Sequence, residues 1–349
     1  MNPHRELHCC KYMTRDEFRK AVFQRDDNKC VICGEDRQDA HHIVERRLWE
    51  DGGYHLDNGA TLCDRHHIEA EQTVLSTEEI REAAGITNTL LPEHLYRDHR
   101  YDKWGNVVNP DGTRMRGELF NDPSVQKILK SGSALDLFTK YVKYPRTYHL
   151  PWSPGITDDD RVLQDTRHFE GRSVVVTVKM DGENTTFYDD YLHARSIDGR
   201  THPSRSWVKN LHSKIGWQIP KDWRICGENL YAEHSIAYSE LDSYFLVFSV
   251  WDEGNNCLSW EQTQEWIELL SLAPVPVLYE GIWDEATIKD LYAEKFGNDE
   301  CEGYVVRLAE SYHYSQFRRC VGKFVRACHV SSSQHWFYEQ VKQNKLRGC

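Results

Sequence analysis

Ser173-Val174-Val175-Val176-Thr177-Val178-Lys179-Met180-Asp181-Gly182-Glu183-Asn184 is the stretch on which the reading of this chain turns. Its first part is an unbroken, largely β-branched apolar run, which predicts a buried strand. Lys179 follows at the strand's end, and Asp181-Gly182 predicts a tight turn beside it, so the amine is expected at a sheet edge. Such an amine is a nucleophile if neighbouring cations or desolvation lower its pKa. A lone K-x-D-G also fits a strand end with a solvated lysine. An ordered series of charged strands downstream favours the chemical reading.

Five segments make up that series, each an apolar or aromatic strand carrying one or two charges. They are His193-Ala194-Arg195-Ser196, Gly227-Glu228-Asn229-Leu230-Tyr231, Tyr244-Phe245-Leu246-Val247-Phe248, Glu302-Gly303-Tyr304-Val305-Val306-Arg307 and Val321-Gly322-Lys323-Phe324-Val325-Arg326. With the Lys179 stretch they resemble motifs I, Ia, III, IIIa, IV and V of the covalent nucleotidyltransferases, the superfamily of ligases and capping enzymes. The resemblance is closest to the Deinococcus-type, ATP-dependent RNA ligases that seal nicks. Lys143-Tyr144-Pro145-Arg146-Thr147, Leu150-Pro151-Trp152-Ser153-Pro154-Gly155, Asp198-Gly199-Arg200-Thr201-His202-Pro203-Ser204-Arg205, His329-Val330 and His335-Trp336 are similar to that branch. The likeness spans roughly 143–336.

That resemblance implies roles. Lys179 would attack the α-phosphate of ATP and become a phosphoramidate, with Asp181 and Gly182 shaping the turn beside it. Arg195 would contact a phosphate, and Glu228, as an acceptor-only carboxylate, a ribose hydroxyl. Phe248, with Phe245 as the less favoured choice, would stack on adenine. Glu302 would bind a metal–water complex of Mg²⁺ or Mn²⁺. Lys323 would hold the α-phosphate and depress the pKa of Lys179. Relatives carry a second lysine where Val325 stands, which leaves open whether Arg326 replaces it. The short stretch after this motif is expected to be a tail (337–349) with no room for an oligonucleotide-binding barrel, which favours RNA over DNA.

The chain has 349 residues, enough for two domains, with a net charge of −12. A nucleic-acid enzyme of that charge concentrates its positive side chains locally. Two such regions stand out: Arg195, Arg200, Arg205, Lys209, Lys214, Lys221 and Arg224, then Arg318, Arg319, Lys323, Arg326, Lys342, Lys345 and Arg347. Either also fits an ordinary solvated face. With no apolar leader and no membrane-length run, the 11 cysteines are expected as reduced thiols and metal ligands in a cytoplasmic protein. Cys226, Cys257, Cys301, Cys320, Cys328 and Cys349 lack ligand spacing and read as packing or surface residues.

The first seventy residues carry different chemistry. His8-Cys9-Cys10 reads as a frayed tail, and Thr14-Arg15-Asp16-Glu17 as a capping box opening a helix to about Asp26. Cys30-x-x-Cys33 and Cys63-x-x-His66 supply four ligands suited to tetrahedral Zn²⁺. Between them lie Asp39-Ala40-His41-His42-Ile43-Val44, the turn Gly52-Gly53, and Leu56-Asp57-Asn58-Gly59. This arrangement resembles the HNH endonuclease motif, a ββα-metal fold. The likeness implies His42 as general base, Asn58 as its orienting group, and His41 with His67 on a catalytic divalent cation, although adjacent histidines allow a slip by one. Phosphodiester hydrolysis does need an activated water and a cation on the phosphate.

Residues 76–142 read as a connecting region: a helix capped at Ser76 and ending at Gly85, a turn-rich hairpin within 101–112, and an amphipathic helix from Pro123 to Tyr141. The expected architecture is α+β. A zinc-knuckle HNH domain (14–75) precedes a ligase-type nucleotidyltransferase domain (143–336) of antiparallel sheets with flanking helices. The expected substrate is a nicked RNA or RNA/DNA duplex. Three alternatives stay open: a ligase with a non-cleaving zinc module, a nuclease with a degenerate ligase half, and a capping-type nucleotidyltransferase.

Overall fold

In the computed structural model, which describes residues 12–36, 39–157, 160–197, 202–327 and 341–348, the Ser173–Val178 run is an inner strand. It lies in a five-stranded sheet between Val277–Ile282 and Gly303–Leu308, followed by Val321–Val325 and Tyr148–His149. Val174 and Val176 enter one core cluster and Val175 and Val178 another, so the run is apolar because both its faces are covered. Lys179 therefore leaves the end of an inner strand and not a sheet edge. There the chain crosses to a second sheet, whose backbone path runs Tyr312–His313, Asn256–Cys257, Phe245–Trp251, Arg224–Asn229, Glu183–Phe187, Leu192–Ala194.

These two sheets lie within one compact unit, Lys140–Cys349; the other unit is Met1–Thr139. Pairing in both sheets is antiparallel apart from Tyr148–His149 against Val321–Val325 and Ala273–Pro274 against Phe245–Trp251. The fold is thus mixed α+β with antiparallel sheets. Helices Ser206–Ile215 and Trp260–Leu269 join a third cluster with Phe187, Ile225, Phe245, Val247 and Val250 of the seven-stranded sheet. Residues 341–348, expected as part of a tail, are tied down: buried Asn344 donates to the carbonyls of Leu230 (2.9 Å) and Ala232 (3.3 Å).

The Asp181-Gly182 step is not a hairpin turn. Asp181 Oδ2 accepts from the backbone of Ser235 (2.7 Å) and Ile236 (3.0 Å), and its own N–H donates to the Tyr238 hydroxyl (2.8 Å). Gly182 is needed for space: a Cβ there would lie 2.5 Å from the Asn229 carbonyl.

In the first unit, Thr14 closes a capping box with Glu17 over helix Arg15–Arg25. Strands Asp39–His42 and Gly59–Leu62 pair antiparallel and lead into helix Asp64–Glu71. Ser76 caps helix Thr77–Ala83 through a second box with Glu79. Residues 100–115 form a three-stranded meander where a single hairpin was expected. The helix expected over 123–141 stops at Ser131, because Gly132 caps it and Ser133 turns to φ 55°. No described helix is long and apolar enough to cross a membrane.

Cys226, Cys257, Cys301 and Cys320 are buried packing residues. Cys328, Cys349, His8-Cys9-Cys10, Asp198-Gly199-Arg200-Thr201, His329-Val330 and His335-Trp336 lie outside the described residues.

Candidate functional site

Strand register brings the two lysines together. Val305 pairs with Thr177 on one side and with Lys323 on the other. Side chains alternate along a strand, so Thr177, Val305 and Lys323 share a face, and Lys179, two residues beyond Thr177, continues it. All four line one cavity of about 280 Å³. Arg195, Glu228 and Phe248 complete the part expected from sequence, whereas Asp181, Gly182 and Glu302 are not among its lining residues.

Phe248 reaches the cavity through a β-bulge. Cys226 pairs with Ser249 and Gly227 with Val247, which leaves Phe248 as the extra residue. It is half-buried, edge-on to Tyr144 (centroids 5.1 Å). Phe245 is fully buried, stacked on Phe187 at 4.3 Å, and belongs to the core. The bulge carbonyl is not orphaned. Arg307, 5% exposed, donates to Phe248 O (3.2 Å) and Leu258 O (2.7 Å). Arg307 thus fastens one sheet to the other beneath the ring. Its sequence signal was a charge inside the apolar run Val305-Val306-Arg307-Leu308.

Electrostatics depart from the expectation. Lys179 Nζ is ion-paired with Glu302, itself 3% exposed. Burial alone would lower the Lys179 pKa, but the Glu302, Glu228 and Asp181 carboxylates raise it above the ordinary lysine value. Lys323 is the depressed amine, lowered by burial and by the charge of Lys179. Lys179 was expected to be lowered by Lys323; instead Lys179 is raised and its charge helps lower Lys323. Burial, with Glu302 and Asp181 nearby, pushes Glu228 up to about 8.

Sequence reading assigned no role to a network behind Lys323. Asp160 Oδ1 lies 3.5 Å from Lys323 Nζ and 3.3 Å from His149 Nε2, and His149 Nδ1 meets Ser153 Oγ at 2.8 Å. Burial would raise the Asp160 carboxyl, yet hydrogen bonds from Thr157 and the Lys323 and His149 charges hold it down at about 2. Arg326 does not line the cavity; it pairs with Glu300. Nor are the basic regions simple solvated faces. Arg205 is buried against Glu183 and Arg224 against Trp251 and Asn255, while Lys214 and Lys221 are exposed.

In the first unit, Cys30, Cys33, Cys63 and His66 converge, with ligand atoms all within 4.8 Å of one another. The Cys33–Cys63 sulfurs are 3.7 Å apart, and His66 Nδ1 is 3.4 Å from Cys30 Sγ and 3.3 Å from Cys63 Sγ. Tetrahedral zinc with bonds of about 2.3 Å to sulfur and 2.0–2.1 Å to nitrogen requires edges of roughly 3.5–3.8 Å, so the donor set fits.

A second cluster joins His41, His67 and Glu71. Glu71 Oε1 is 3.6 Å from His41 Nδ1, 3.7 Å from His67 Nε2 and 3.0 Å from the Lys103 ammonium. His41 is 2% exposed, and neither ring nitrogen has a hydrogen-bond partner among the described residues, which suits a metal ligand. Sequence reading missed Glu71, although it stands one helical turn after His67.

His42 takes the other face of the strand, stacked on Phe18 at 4.6 Å. Asn58 makes no hydrogen bond to the His42 ring. Its side chain accepts from Val44 N (2.9 Å) and donates to Val44 O (3.0 Å) and Gly53 O (3.1 Å), clamping the loop that follows His42.

The family model described as RNA ligase matches residues 172–325, the span from the Lys179 strand to the Lys323 strand. Among solved structures, a Naegleria gruberi RNA ligase mutant with ATP and Mn is similar at 16% identity and TM-score 0.37, over 54% of this chain and 60% of that one. An archaeal ATP-dependent RNA ligase is similar at 15% identity and TM-score 0.36, over 53% and 48%. A putative ATP-dependent DNA ligase from Aquifex aeolicus is similar at 20% identity and TM-score 0.35, over 53% and 50%. The chain thus spans 48–60% of the lengths of these three proteins. No curated protein matches the chain.

Proposed function

We propose that this chain is an ATP-dependent RNA ligase that works through AMP bound covalently to Lys179. The carrying observation is the single cavity that holds Lys179 and Lys323 on one face, with Phe248, Glu228 and Arg195 around them. ATP enters with adenine against Phe248 and a ribose hydroxyl on Glu228. Lys323 and Arg195 take the phosphates.

Lys179 must lose a proton before it attacks, and Glu302, in contact with the amine, is the base within reach. The Nζ–phosphorus bond forms as the bond to pyrophosphate breaks, and pyrophosphate carries the charge away. AMP then passes to a 5′-phosphate, and a 3′-hydroxyl displaces it to seal the nick. A divalent cation, when bound, neutralises the phosphates. The substrate proposed is a nick with RNA on the 3′-hydroxyl side, in an RNA or RNA/DNA duplex. Incubation with each nucleoside triphosphate and intact mass measurement tests this: ATP alone adds one AMP, and label persisting in Lys179→Ala refutes it. Nicks with RNA or DNA on the 3′-hydroxyl side, compared side by side, test the substrate.

The His41–His67–Glu71 cluster favours a second activity in the first unit, metal-dependent phosphodiester cleavage of the HNH type. His41, His67 and Glu71 would hold the cation, His42 would take the water's proton, and the Cys30, Cys33, Cys63, His66 zinc site would brace the strand pair. Cutting assays on DNA and RNA with Mg²⁺, Mn²⁺ and Ni²⁺ decide it. If nothing is cut, the module only binds.

A further inference from the structure

A second cavity, of about 730 Å³, lies in the first unit, away from both metal clusters in sequence and built from residues 78–101. Its size falls in the range of about 300–1,000 Å³ typical of ligand sites. Helix Thr77–Ala83 contributes Arg81 from its last turn. Arg81 is 7% exposed, its Nε is fully buried, and its guanidinium makes no hydrogen bond or ion pair among the described residues. A guanidinium offers five donors and stays charged, so leaving its Nε buried without a partner is unfavourable. Nothing in the helix explains that placement, since an arginine at this point could as well face solvent.

The rest of the lining indicates what Arg81 is for. Arg97 and Arg100 also line the cavity and are exposed, with His99 between them in sequence. Glu78 and Glu82 line the cavity as well; Glu78 is 3.7 Å from Arg100, and its charge also acts on Arg81 without a hydrogen bond or ion pair to it. Tyr101 is buried at 3% exposure beside His99 (centroids 6.1 Å), giving an aromatic flank. One buried guanidinium and two exposed ones line this cavity. Three such groups suit a multiply charged anion better than a singly charged carboxylate.

We propose that this cavity is a phosphate-binding site, with Arg81 as its buried anchor and Arg97 and Arg100 as its rim. The phosphate comes from the backbone of a polynucleotide or from a free or terminal phosphate group. The site does not rest on the ligase reading, because no residue of the Lys179 cavity takes part.

Full-length protein is titrated with inorganic phosphate and, separately, with a short oligoribonucleotide lacking terminal phosphates, as wild type, Arg81→Met, Arg97→Ala and Arg100→Ala. Arg81→Met is expected to weaken at least one probe tenfold or more. If the oligonucleotide is the one affected, its log K against log salt slope falls by about one, and the source is the strand backbone. If only inorganic phosphate is affected, the source is a free or terminal phosphate. Arg97→Ala and Arg100→Ala alter exposed side chains, so they keep the test alive should Arg81→Met fail to fold; each is expected to weaken the same probe two- to fivefold. AMP transfer to Lys179 in folded Arg81→Met stays at the wild-type rate. Equal binding of both probes by wild type and every folded variant overturns the proposal.

Discussion

Two sites of this molecule, one in each unit, solve the problem of burying polar side chains in opposite ways. In the second, Lys179 sits among carboxylates of the same chain, Glu302 above all, and the site is electrically closed before any ligand arrives. In the first, Cys30, Cys33, Cys63 and His66 form a set of donors with no cation of their own. The difference is one of dependence. A site balanced internally holds its geometry alone, and its substrate must displace an ion pair. A site made only of donors owes its geometry to what binds it.

The sharpest way to break this contrast is to exchange losses between the units. Lys179→Ala is expected to abolish AMP attachment while leaving any metal-dependent cutting intact. His42→Ala should lower cutting by about two to four orders of magnitude, the usual worth of a general base, and leave AMP attachment near wild type. Intact mass and nuclease assays on both proteins read this out. Loss of AMP attachment in folded His42→Ala would show that the units are not chemically independent.

Metal removal comes next. Zinc-knuckle domains draw about 10–16 kcal/mol of apparent folding free energy from the metal. Cys30→Ser with Cys33→Ser should lower the zinc content by about one per chain and destabilise the zinc-knuckle domain, with Mg²⁺ supplied throughout. Heat capacity scans and metal analysis follow it. Lys179 should still acquire AMP at a rate within about twofold, and a parallel collapse of AMP attachment would contradict the contrast.

Within the second unit, two neighbouring aromatics sharpen the point. Phe245→Ala opens a cavity against Phe187 and should cost about 3–5 kcal/mol of stability, seen in denaturant melts. Phe248→Ala, at a half-buried residue packed against the core, should cost less stability than Phe245→Ala but lose about 1–3 kcal/mol of stacking on the base, raising the ATP KM about fivefold or more. The reverse assignment of effects would remove Phe248 from the nucleotide site.

The smallest effect expected is at Asp160. Its carboxyl lies at about 2, below the unfolded value of 3.8, so its contribution is present above pH 4 and is lost as pH falls towards 2. The group is partly exposed, and screening limits the loss to about 1 kcal/mol. Asp160→Asn should flatten the acid limb of the stability–pH curve between 4 and 2. It should also free Lys323, raising the affinity for pyrophosphate a few-fold. An unchanged acid limb would mean the Asp160–Lys323 contact is idle.

Much of this was legible in the residues themselves. The valine run states a strand covered on both faces, and the paired knuckles state a four-ligand set, because spacing along a short loop restricts where the donors can go. The capping boxes at Thr14 and Ser76 are local chemistry and appear where the sequence puts them. Register and burial were not legible. Phe248 was favoured over Phe245 from the motif, but the bulge that turns it to the cavity, and Arg307 holding that bulge from another strand, were not. Lys179 is raised and Lys323 lowered because Glu302 approaches one amine and burial dominates the other. Glu71, Asp160 and Arg81 carry no motif at all. Their importance comes from which side chains they meet or fail to meet across elements, a property of distances in space that residue order along the chain does not encode.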